Sequence, residues 1–313
     1  MSLITTVTFN PAIDKSVIIP ALAPEKKLSC SMPVFEPGGG GVNVARAIKK
    51  LQGEATAVYL AGGYSGNFFN SLLDMEAIPF IMVPISSHTR ENLIVLDKST
   101  GLQYRFGMPG PMVSPQEFDQ CLEVIRHMET TWLVVSGSLP AGAPASIYGT
   151  AAAIAKGRGI KCIVDTSGAA LKAAVDTGVY LIKPNLSELS YLVGKESLCG
   201  NEVVAAAKEV INSGKCEIVV VSLGAAGALV VTDKIVHTIA APTVRCNSTV
   251  GAGDCMVAGI VYQLSQGEDI VAAVRFGVAC GTAATLNPGT ALFKPEDVRF
   301  LYKNMRQADP GKC

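Results

Sequence analysis

Short apolar runs alternate with longer amphipathic segments along most of the chain. The short runs are rich in Val, Ile and Leu, as buried strands are, and the longer segments space their apolar residues by three or four, as helices do. The pattern predicts strands over residues 3–9, 55–60, 80–83, 132–136, 161–164, 180–182 and 217–222. It predicts helices over residues 42–51, 66–75, 115–128, 145–156, 169–174, 187–193, 202–213 and 255–264.

Alternation of strands and helices at this spacing is typical of a mostly parallel sheet covered by helices on both faces. The apolar stretch 218–231 contains Ser222, Gly224 and Gly227 and is too short to cross a bilayer, so it predicts two core strands around a glycine turn. No period of 20 to 50 residues recurs, which excludes a repeat array.

Two strand pairs interrupt this order. Residues 16–19 and 28–35 form the first pair, and residues 92–97 and 102–108 form the second. Strands without an intervening helix predict a small separate sheet, which serves as a lid over a site, as an oligomer surface, or as both.

Composition narrows the possible partners. The chain has 313 residues, of which 49% are hydrophobic and 17% charged, with a formal net charge of zero. These values predict a compact protein of one large domain or two, with enough apolar residues for a sizeable core. A balanced charge offers no general field for nucleic acid or an anionic membrane, so we expect a small-molecule partner bound by local groups.

Cysteine and histidine usage excludes several classes of protein. The nine cysteines contain no C-x-x-C pair and no histidine at metal-ligand spacing, so they predict reduced core cysteines of a cytoplasmic protein. The first residues lack the features of an export signal. Three histidines, none near a G-x-S-x-G motif, give weak support to a Ser-His-Asp hydrolase.

The segment 248–254, STVGAGD, concentrates the features of an anion site. Its glycines let the backbone turn sharply and present successive N–H groups at the start of the helix that follows, where an anion is favoured. Asp254 would be repelled by a bound phosphate unless it had a task there, such as accepting a proton from an attacking hydroxyl. An ordinary helix cap is the alternative interpretation of the same residue.

Four glycines at residues 38–41 precede a second predicted helix, which carries Asn43. They indicate close approach of the backbone to a ligand at a helix start. A flexible linker is the alternative, but a linker here would separate a helix from the strand before it.

Polar residues collect just after the predicted strands. They are Asp14, residues 136–138, Asp165, residues 183–185, residues 222–224 and residues 247–249. Because ligands of open α/β sheets bind outside the carboxyl ends of the strands, this distribution predicts one crevice at that edge.

Two common nucleotide motifs are absent from the sequence. No G-x-x-x-x-G-K-[ST] occurs, and neither glycine segment completes G-x-G-x-x-G, so a dinucleotide-binding dehydrogenase is the weaker hypothesis. Arg90 and Arg105 lie in or beside the second strand pair. They are candidates for bidentate recognition of a substrate phosphate, with solvated surface arginines as the alternative.

Together these segments make the chain similar to the ribokinase/PfkB family of sugar kinases along its full length. The two family signatures are FEPGGGGVNVARAI at residues 35–48 and STVGAGD at residues 248–254. Further matches are QYRF at 103–106, MPG at 108–110, SGSLP at 136–140, KPN at 183–185, TLN at 285–287 and GT at 289–290.

The resemblance implies a single ribokinase-like domain over residues 1–313. The implied domain has three layers, α/β/α, with a mostly parallel sheet in the middle. A small β-sheet lid is formed by residues of about 15–36 and 89–108. The resemblance also implies ATP-dependent, magnesium-requiring phosphorylation of a sugar phosphate, with fructose 6-phosphate as the expected substrate and fructose 1,6-bisphosphate as the product. Phosphorylation of tagatose 6-phosphate or fructose 1-phosphate is the alternative. A catalytically silent sugar-phosphate sensor is the non-enzyme alternative.

Residue roles follow from the same resemblance. Asp254 matches the catalytic base, and the backbone N–H groups of the turn that includes Gly251, Ala252 and Gly253 match the anion hole. The sugar hydroxyls would be held by Asp14, Gly39 and Asn43, and the phosphate end of the substrate by Arg90, Arg105 and Ser138. Nucleotide positions are matched by Lys183, Asn185, Ser222, Gly224 and Gly227. Glu188 matches the acidic residue associated with magnesium.

Three further expectations concern ions and assembly. Relatives often hold a potassium-like ion through backbone oxygens, and the residues at those positions are Ser248, Val250, Ala284, Asn287 and Gly289. Lys27 matches a lysine that in relatives contacts nucleotide, in some cases from a neighbouring subunit. Exposed strand pairs need a cover, so we expect a homodimer formed through the lid sheets. Cys255 departs from the Ser or Ala that usually follows the catalytic aspartate.

Overall fold

The protein is described from a computed structural model, which covers residues 3–287 and 291–308. The strands in chain order are β1 (Ile4–Thr8), β2 (Ala12–Ile19), β3 (Val34–Gly38), β4 (Ala55–Ala61), β5 (Phe80–Pro84), β6 (Arg90–Asp97), β7 (Gln103–Phe106), β8 (Trp132–Ser136), β9 (Lys161–Asp165), β10 (Val179–Ile182), β11 (Cys216–Ser222), β12 (Ala228–Val231) and β13 (Val236–Ile239). The helices are α1 (Gly40–Lys50), α2 (Gly63–Met75), α3 (Pro115–His127), α4 (Ser146–Gly157), α5 (Gly168–Thr177), α6 (Leu186–Leu192), α7 (Asn201–Asn212), α8 (Ala252–Ser265), α9 (Ile270–Thr285) and α10 (Pro295–Ala308).

The main sheet places the predicted strand ends along one edge. Within the described residues it contains nine strands in the order β13-β12-β11-β10-β9-β8-β1-β4-β5. Neighbours from β11 through β5 are parallel, and β12 and β13 form an antiparallel margin. The strand order reverses at β1, which lies between β4 and β8. A crevice at the carboxyl edge is expected at such a reversal.

Helices cover both faces of this sheet, which confirms the predicted three-layer α/β/α class. One core contains side chains of α1, α2, α8, α9 and α10 together with one face of the strands. The second core contains side chains of α3, α4, α5 and α7 with the opposite face. No helix among the residues described is long and apolar enough to span a membrane.

A separate four-stranded sheet, in the order β3-β2-β6-β7, is built from the two interrupting segments. Because side chains alternate between the faces of a strand, Val17, Ile19 and Val95 lie on one face, where they are buried. The other face carries Asp14 and, two strands away, Arg105. We call the face that carries Asp14 and Arg105 the site face.

Several predicted boundaries are wrong. The strand expected over residues 28–35 begins only at Val34, because the preceding stretch contains Pro20, Pro24 and Pro33, which restrict the backbone and lack a donor for the ladder. Asp14 lies within β2 of the second sheet, whereas the sequence pattern placed it in a turn after the first strand. The helical segments α9 and α10 were not assigned from the pattern.

Candidate active site

The segment that begins α8 turns through a left-handed glycine. Gly251 has φ 70° and ψ 0°, a conformation that favours glycine, and the helix starts at Ala252. The helix-cap interpretation of Asp254 is wrong, because Asp254 is the third helical residue and Gly251 holds the cap position, where no side-chain cap is formed within the described residues. The N–H groups of the first turn lack partners within the helix and carry the positive end of its dipole, so the turn favours an anion.

The end of α9 holds the approach to this turn in place. The backbone N–H groups of Asn247 and Ser248 both donate to the carbonyl of Thr285, at 2.7 Å and 3.3 Å. The Asn247 side chain donates to the carbonyl of Leu286 at 2.7 Å. The expectation that residues 247–249 directly follow a strand is therefore wrong: β13 ends at Ile239, and the α9 contacts bring the segment to the sheet edge.

Asp254 carries a carboxylate with a strongly shifted proton affinity. Its Oδ2 accepts from the Asn43 side-chain amide at 2.9 Å. Burial and the neighbouring carboxylate of Asp165 raise the pKa of Asp254 to about 7, while the Asn43 hydrogen bond and the charge of Lys183 act in the opposite direction. A carboxylate with a pKa near 7 is matched to accepting a proton at physiological pH.

Lys183 follows β10 and reaches the start of α8. It is buried, and its Nζ pairs with Oδ1 of Asp165 at 3.1 Å. Burial alone would lower the pKa of Lys183, but the charge and hydrogen bond of Asp165 outweigh it and raise that pKa. A Cβ built on Gly253 would lie 3.5 Å from this ammonium, so Lys183 adds a fixed positive charge beside the N–H groups of the turn.

The four-glycine segment brings a second helix start against the sheet. A Cβ at Gly40 would collide with Ser136 Oγ and the backbone of Gly137, and one at Gly41 would collide with the carbonyl of Val7. Gly39 caps α1 with φ 112°. The flexible-linker interpretation is therefore wrong, because these glycines permit close packing that places Asn43 beside Asp254.

A cleft of about 620 Å³ reaches the start of α8. Its lining includes four of the residues predicted to bind nucleotide: Asn185, Ser222, Gly224 and Gly227. The rest of the wall is largely apolar, with Val244, Met256 and Val278 among its residues, and Ala252 and Gly253 end it. The cleft therefore leads from an apolar chamber to the anion-favouring turn.

Asn185 and Glu188 form a reciprocal capping box at the start of α6. The Glu188 N–H donates to Asn185 Oδ1 at 2.9 Å, and the Asn185 N–H donates to Glu188 Oε2 at 2.8 Å. Burial raises the pKa of Glu188. No cluster of three or more Asp, Glu, His or Cys side chains suited to a metal occurs within residues 3–287 and 291–308. Mg²⁺ in kinases is bound by one or two carboxylates and the substrate phosphates, and Glu188 fits that mode.

The site face of the second sheet carries Asp14, whose charge interacts with that of Asp254. Asp14 is buried on β2, where it accepts from the Asn92 side chain at 2.8 Å, and burial raises its pKa. The Arg90 guanidinium donates to the carbonyls of Asn10 at 3.0 Å and Met108 at 3.1 Å. Burial lowers the pKa of Arg90 while the charge of Asp14 opposes that change.

Three further predicted residues are exposed. Arg105 is exposed on β7 and shares the site face, with its Nε donating to Gln103 at 3.2 Å. Ser138 is exposed in the loop after β8, and its Oγ accepts from Asn10 at 3.1 Å. Lys27 is exposed between β2 and β3, and no hydrogen bond or ion pair described for residues 3–287 and 291–308 joins it to the site.

The residues predicted to hold a monovalent cation converge on one corner. Ser248 and Val250 belong to the approach to α8, and the bond from Ser248 to Thr285 brings them beside Ala284 and Asn287 at the end of α9. The Asn287 side chain donates to the carbonyls of Ala283 and Leu292. Gly289, the fifth residue predicted for this ion, lies outside the described residues.

Three side chains contact the site without having been given a specific role from the sequence: Asn92, Arg46 and Asp165, of which Asp165 was placed only among the residues of the predicted crevice. Asp165 and Asn92 bind Lys183 and Asp14, and Arg46 donates to Asn43. Arg46 could have been suspected because positions three apart on a helix are neighbours. Asn92 could not, since its pairing with Asp14 depends on the register of two distant strands.

Comparison with known proteins gives consistent matches over nearly the whole chain. The pfkB family of carbohydrate kinases matches residues 7–297. The chain is 46% identical to the ATP-dependent 6-phosphofructokinase isozyme 2 of Escherichia coli over 96% of its length and 97% of that protein. It is 30% identical to the 1-phosphofructokinase of Borreliella burgdorferi over 98% of its length and 99% of that protein.

Solved structures agree with the sequence matches. The crystal structure of the E. coli phosphofructokinase-2 in complex with potassium superimposes with a TM-score of 0.94 at 46% identity, covering 97% of this chain and 99% of that chain. The same E. coli protein in complex with fructose 6-phosphate gives 0.92 at 44% identity, with the same shares covered. Its tetrameric inhibited form gives 0.91 at 44% identity, again over 97% of this chain and 99% of that one.

Proposed function

The chain belongs to the pfkB family of carbohydrate kinases, and we propose that it transfers the γ-phosphoryl group of ATP to fructose 6-phosphate. The observation that carries the proposal is the position of Asp254. Asp254 directly follows Gly253, which lines the apolar cleft, and its carboxylate interacts with the charge of Asp14 on the second sheet. A base at that position can face a sugar hydroxyl while the nucleotide occupies the cleft.

The transfer needs a proton acceptor and compensation for negative charge. The C1 hydroxyl of fructose 6-phosphate gives its proton to Asp254. The hydroxyl oxygen forms a bond to the γ-phosphorus of ATP as the bond between that phosphorus and the ADP oxygen breaks. The backbone N–H groups of Gly251 to Gly253, together with the Lys183 ammonium, stabilise the charge on the transferring group. This division of tasks requires little movement of protein atoms, because Asp165 already pairs with Lys183 and Asn43 already donates to Asp254.

Recognition of the substrate falls to the second sheet and the adjoining loop. Asp14, Gly39 and Asn43 are proposed to hold sugar hydroxyls. Arg90, Arg105 and Ser138 are proposed to hold the phosphate at C6 of the sugar. The support is that the two arginines share the site face with Asp14, and arginine is suited to bidentate contact with phosphate.

Two ions complete the proposal. Mg²⁺ would be held by Glu188 and the nucleotide phosphates, where it would neutralise phosphate charge. A potassium ion would be held by backbone oxygens of Ser248, Val250, Ala284, Asn287 and Gly289, consistent with the potassium complex of the E. coli relative. Lys27 is proposed to contact nucleotide across a subunit boundary, since it is exposed between β2 and β3.

We also propose a homodimer through the site face of the second sheet. Ile18, Met32 and Val34 are exposed at 46%, 87% and 58%; Ile18 lies near the end of β2, Val34 begins β3, and Met32 precedes β3 by two residues. Apolar groups on a sheet that carries an open face favour a covering partner. The E. coli relative has a tetrameric inhibited form, so this fold assembles in a related protein.

A coupled assay of ADP release tests the activity. Purified protein is compared on fructose 6-phosphate, tagatose 6-phosphate and fructose 1-phosphate at equal ATP and Mg²⁺. We expect the highest kcat/KM with fructose 6-phosphate. A higher value with either of the other two would reassign the substrate, and no turnover of any would favour a silent sensor.

A further inference from the structure

A buried arginine lies one helical turn beyond Asn43 on α1. Arg46 is 2% exposed. Its guanidinium forms a fork with Glu76, with Nε to Oε2 at 2.8 Å and Nη2 to Oε1 at 2.6 Å, and Nη2 lies 3.6 Å from Glu36 Oε1. It also interacts with the charge of Asp14. Because two carboxylates compensate the buried charge and the fork has fixed geometry, the guanidinium is held in one orientation.

The remaining nitrogen of Arg46 faces the site. Nη1 donates to the carbonyl of Pro37 at 2.9 Å and to Asn43 Oδ1 at 3.4 Å. A guanidinium carries only donors, so only the oxygen of the Asn43 amide can face it. The amide nitrogen on the opposite side then faces Asp254, where it donates to Oδ2 at 2.9 Å. A reversed amide would place donor against donor and oxygen against carboxylate.

From this geometry we infer that Arg46 is a positioning residue, which fixes the orientation of the Asn43 amide and thereby holds the Asp254 carboxylate ready to accept a proton. The inference rests on the proposed function, in which Asp254 is the base. Arg46 touches neither substrate in this arrangement. It acts through Asn43, and Glu76 acts one step farther away by fixing Arg46.

Loss of this orientation has a defined electrostatic consequence. The titratable groups that interact with Asp254 include Asp14 on β2, Asp165 at the end of β9, Lys183 after β10, Tyr148 on α4 and Cys255 on α8. Burial and the two carboxylates raise the pKa of Asp254, and Asn43 and Lys183 lower it. Without Arg46 only the Asp254 carboxylate holds the Asn43 amide in the donating orientation, so the hydrogen bond is formed for a smaller fraction of the time. The pKa of Asp254 then rises, so the acidic limb of the pH–rate profile moves to higher pH.

The experiment compares three variants with the wild type. Arg46→Met combined with Glu76→Leu removes both partners of the main ion pair, so that the Glu76 carboxylate is not left unpaired. Arg46→Lys keeps the charge without the fork. Ile125→Ala, at a fully buried position in α3 away from the site, is the control for lost stability. For each protein kcat is measured from pH 5.5 to 9, and the carboxyl ¹³C signal of Asp254 is titrated.

We expect the Arg46→Met/Glu76→Leu protein to lose about tenfold in kcat at pH 7, with the acidic limb and the ¹³C titration both shifted upward by about half a pH unit or more. The KM for ATP stays within about twofold of the wild-type value. Arg46→Lys recovers part of the rate. Ile125→Ala lowers Tm and leaves the limb in place, because lost core packing alone does not change the proton affinity of Asp254.

A double-mutant cycle separates positioning from a general structural role. In an Asn43→Ala background, replacing Arg46 should change kcat by less than about twofold, because the residue through which it acts is gone. Additive losses, or a limb and ¹³C titration that match the wild type, would overturn the inference while leaving the kinase activity intact. Failure of the wild type to phosphorylate any sugar phosphate would instead remove the proposed function, and the ¹³C titration would still decide the effect of Arg46.

Discussion

The carboxyl edge of the main sheet and the site face of the second sheet differ in how their polar groups are held. At the main sheet edge, Lys183 is paired with Asp165 and Asp254 accepts from Asn43, all within one chain. On the second sheet, Arg105 is exposed and bonds only a neighbouring glutamine among the contacts described for residues 3–287 and 291–308. The proposed transfer groups Lys183 and Asp254 are thus held by contacts within their own chain, whereas Arg105, proposed to bind the sugar phosphate, is left open to a ligand or a second subunit.

Replacement of Asp254 should separate the two regions most strongly. Asp254→Asn keeps an acceptor for Asn43 but removes the base, so we expect kcat to fall about 10³-fold. Binding of ATP, measured by calorimetry, should change by less than about twofold, because the apolar cleft is untouched. Turnover near the wild-type rate would remove the base assignment.

The same variant should be more stable at alkaline pH. Because the folded pKa of Asp254 is raised to about 7, its stabilising contribution is complete below the ordinary carboxyl pKa and is lost as the pH rises through about 7. Asp254→Asn should therefore raise Tm by about 2–6 °C at pH 8, with little gain at pH 5. An equal gain at both pH values would contradict the raised pKa.

The exposed arginine tests the other region. Arg105→Met should raise the KM for fructose 6-phosphate by about 10- to 30-fold, the loss expected for a charged hydrogen bond to phosphate. The KM for ATP should stay unchanged. Arg126→Met, at an exposed arginine of α3 that pairs with Glu123, is the matched control and should alter neither constant.

The pH dependence of kcat/KM in the wild type measures the pKa of Asp254 without a substitution. A pKa of about 7 for Asp254 predicts that kcat/KM falls about tenfold between pH 8 and pH 6, because the protonated carboxyl cannot accept a proton. Data are taken with saturating ATP and corrected for ionisation of the sugar phosphate. A flat profile down to pH 5.5 would contradict the electrostatic description of the site.

The smallest effect is expected at Cys255. This side chain is fully buried, and burial raises the pKa of its thiol, so it is protonated and unreactive at neutral pH. Cys255→Ala should keep kcat within about twofold of the wild type. A larger loss would show that the residue after the base contributes more than packing.

Much of the main sheet could be predicted from the sequence, because strands buried on both faces carry continuous apolar runs and their helices carry clear periodicity. Residues 132–136 are predicted with the bounds of β8. The two signatures also identified Asp254 and Asn43. What could not be predicted depends on tertiary contacts between distant segments, such as the α9 bonds that carry residues 247–249 to the sheet edge.

The second sheet was harder to predict for a physical reason. Its strands are partly exposed, and the connection between β2 and β3 contains Pro20, Pro24 and Pro33, so alternation is weak between residues 20 and 33. The assignment of Asp14 to a turn failed because Pro11 resembles a turn signal, although β2 begins at the next residue. The pairing of Asp14 with Asn92 then follows from register, which the local sequence does not specify.

The most direct test compares the affinities for the two substrates after the site face is altered. Ile18→Lys combined with Val34→Lys places charges on the exposed apolar end of that face, and Phe300→Lys, at a 65% exposed position on α10, is the control. We expect the double variant to be monomeric by light scattering and to bind fructose 6-phosphate about tenfold more weakly by calorimetry, with a smaller loss of ATP affinity, because Lys27 is the one nucleotide contact proposed to cross the subunit boundary. Equal loss of both affinities, or a monomer with unchanged fructose 6-phosphate affinity, would contradict the division between a preorganised transfer site and an incomplete sugar-phosphate site.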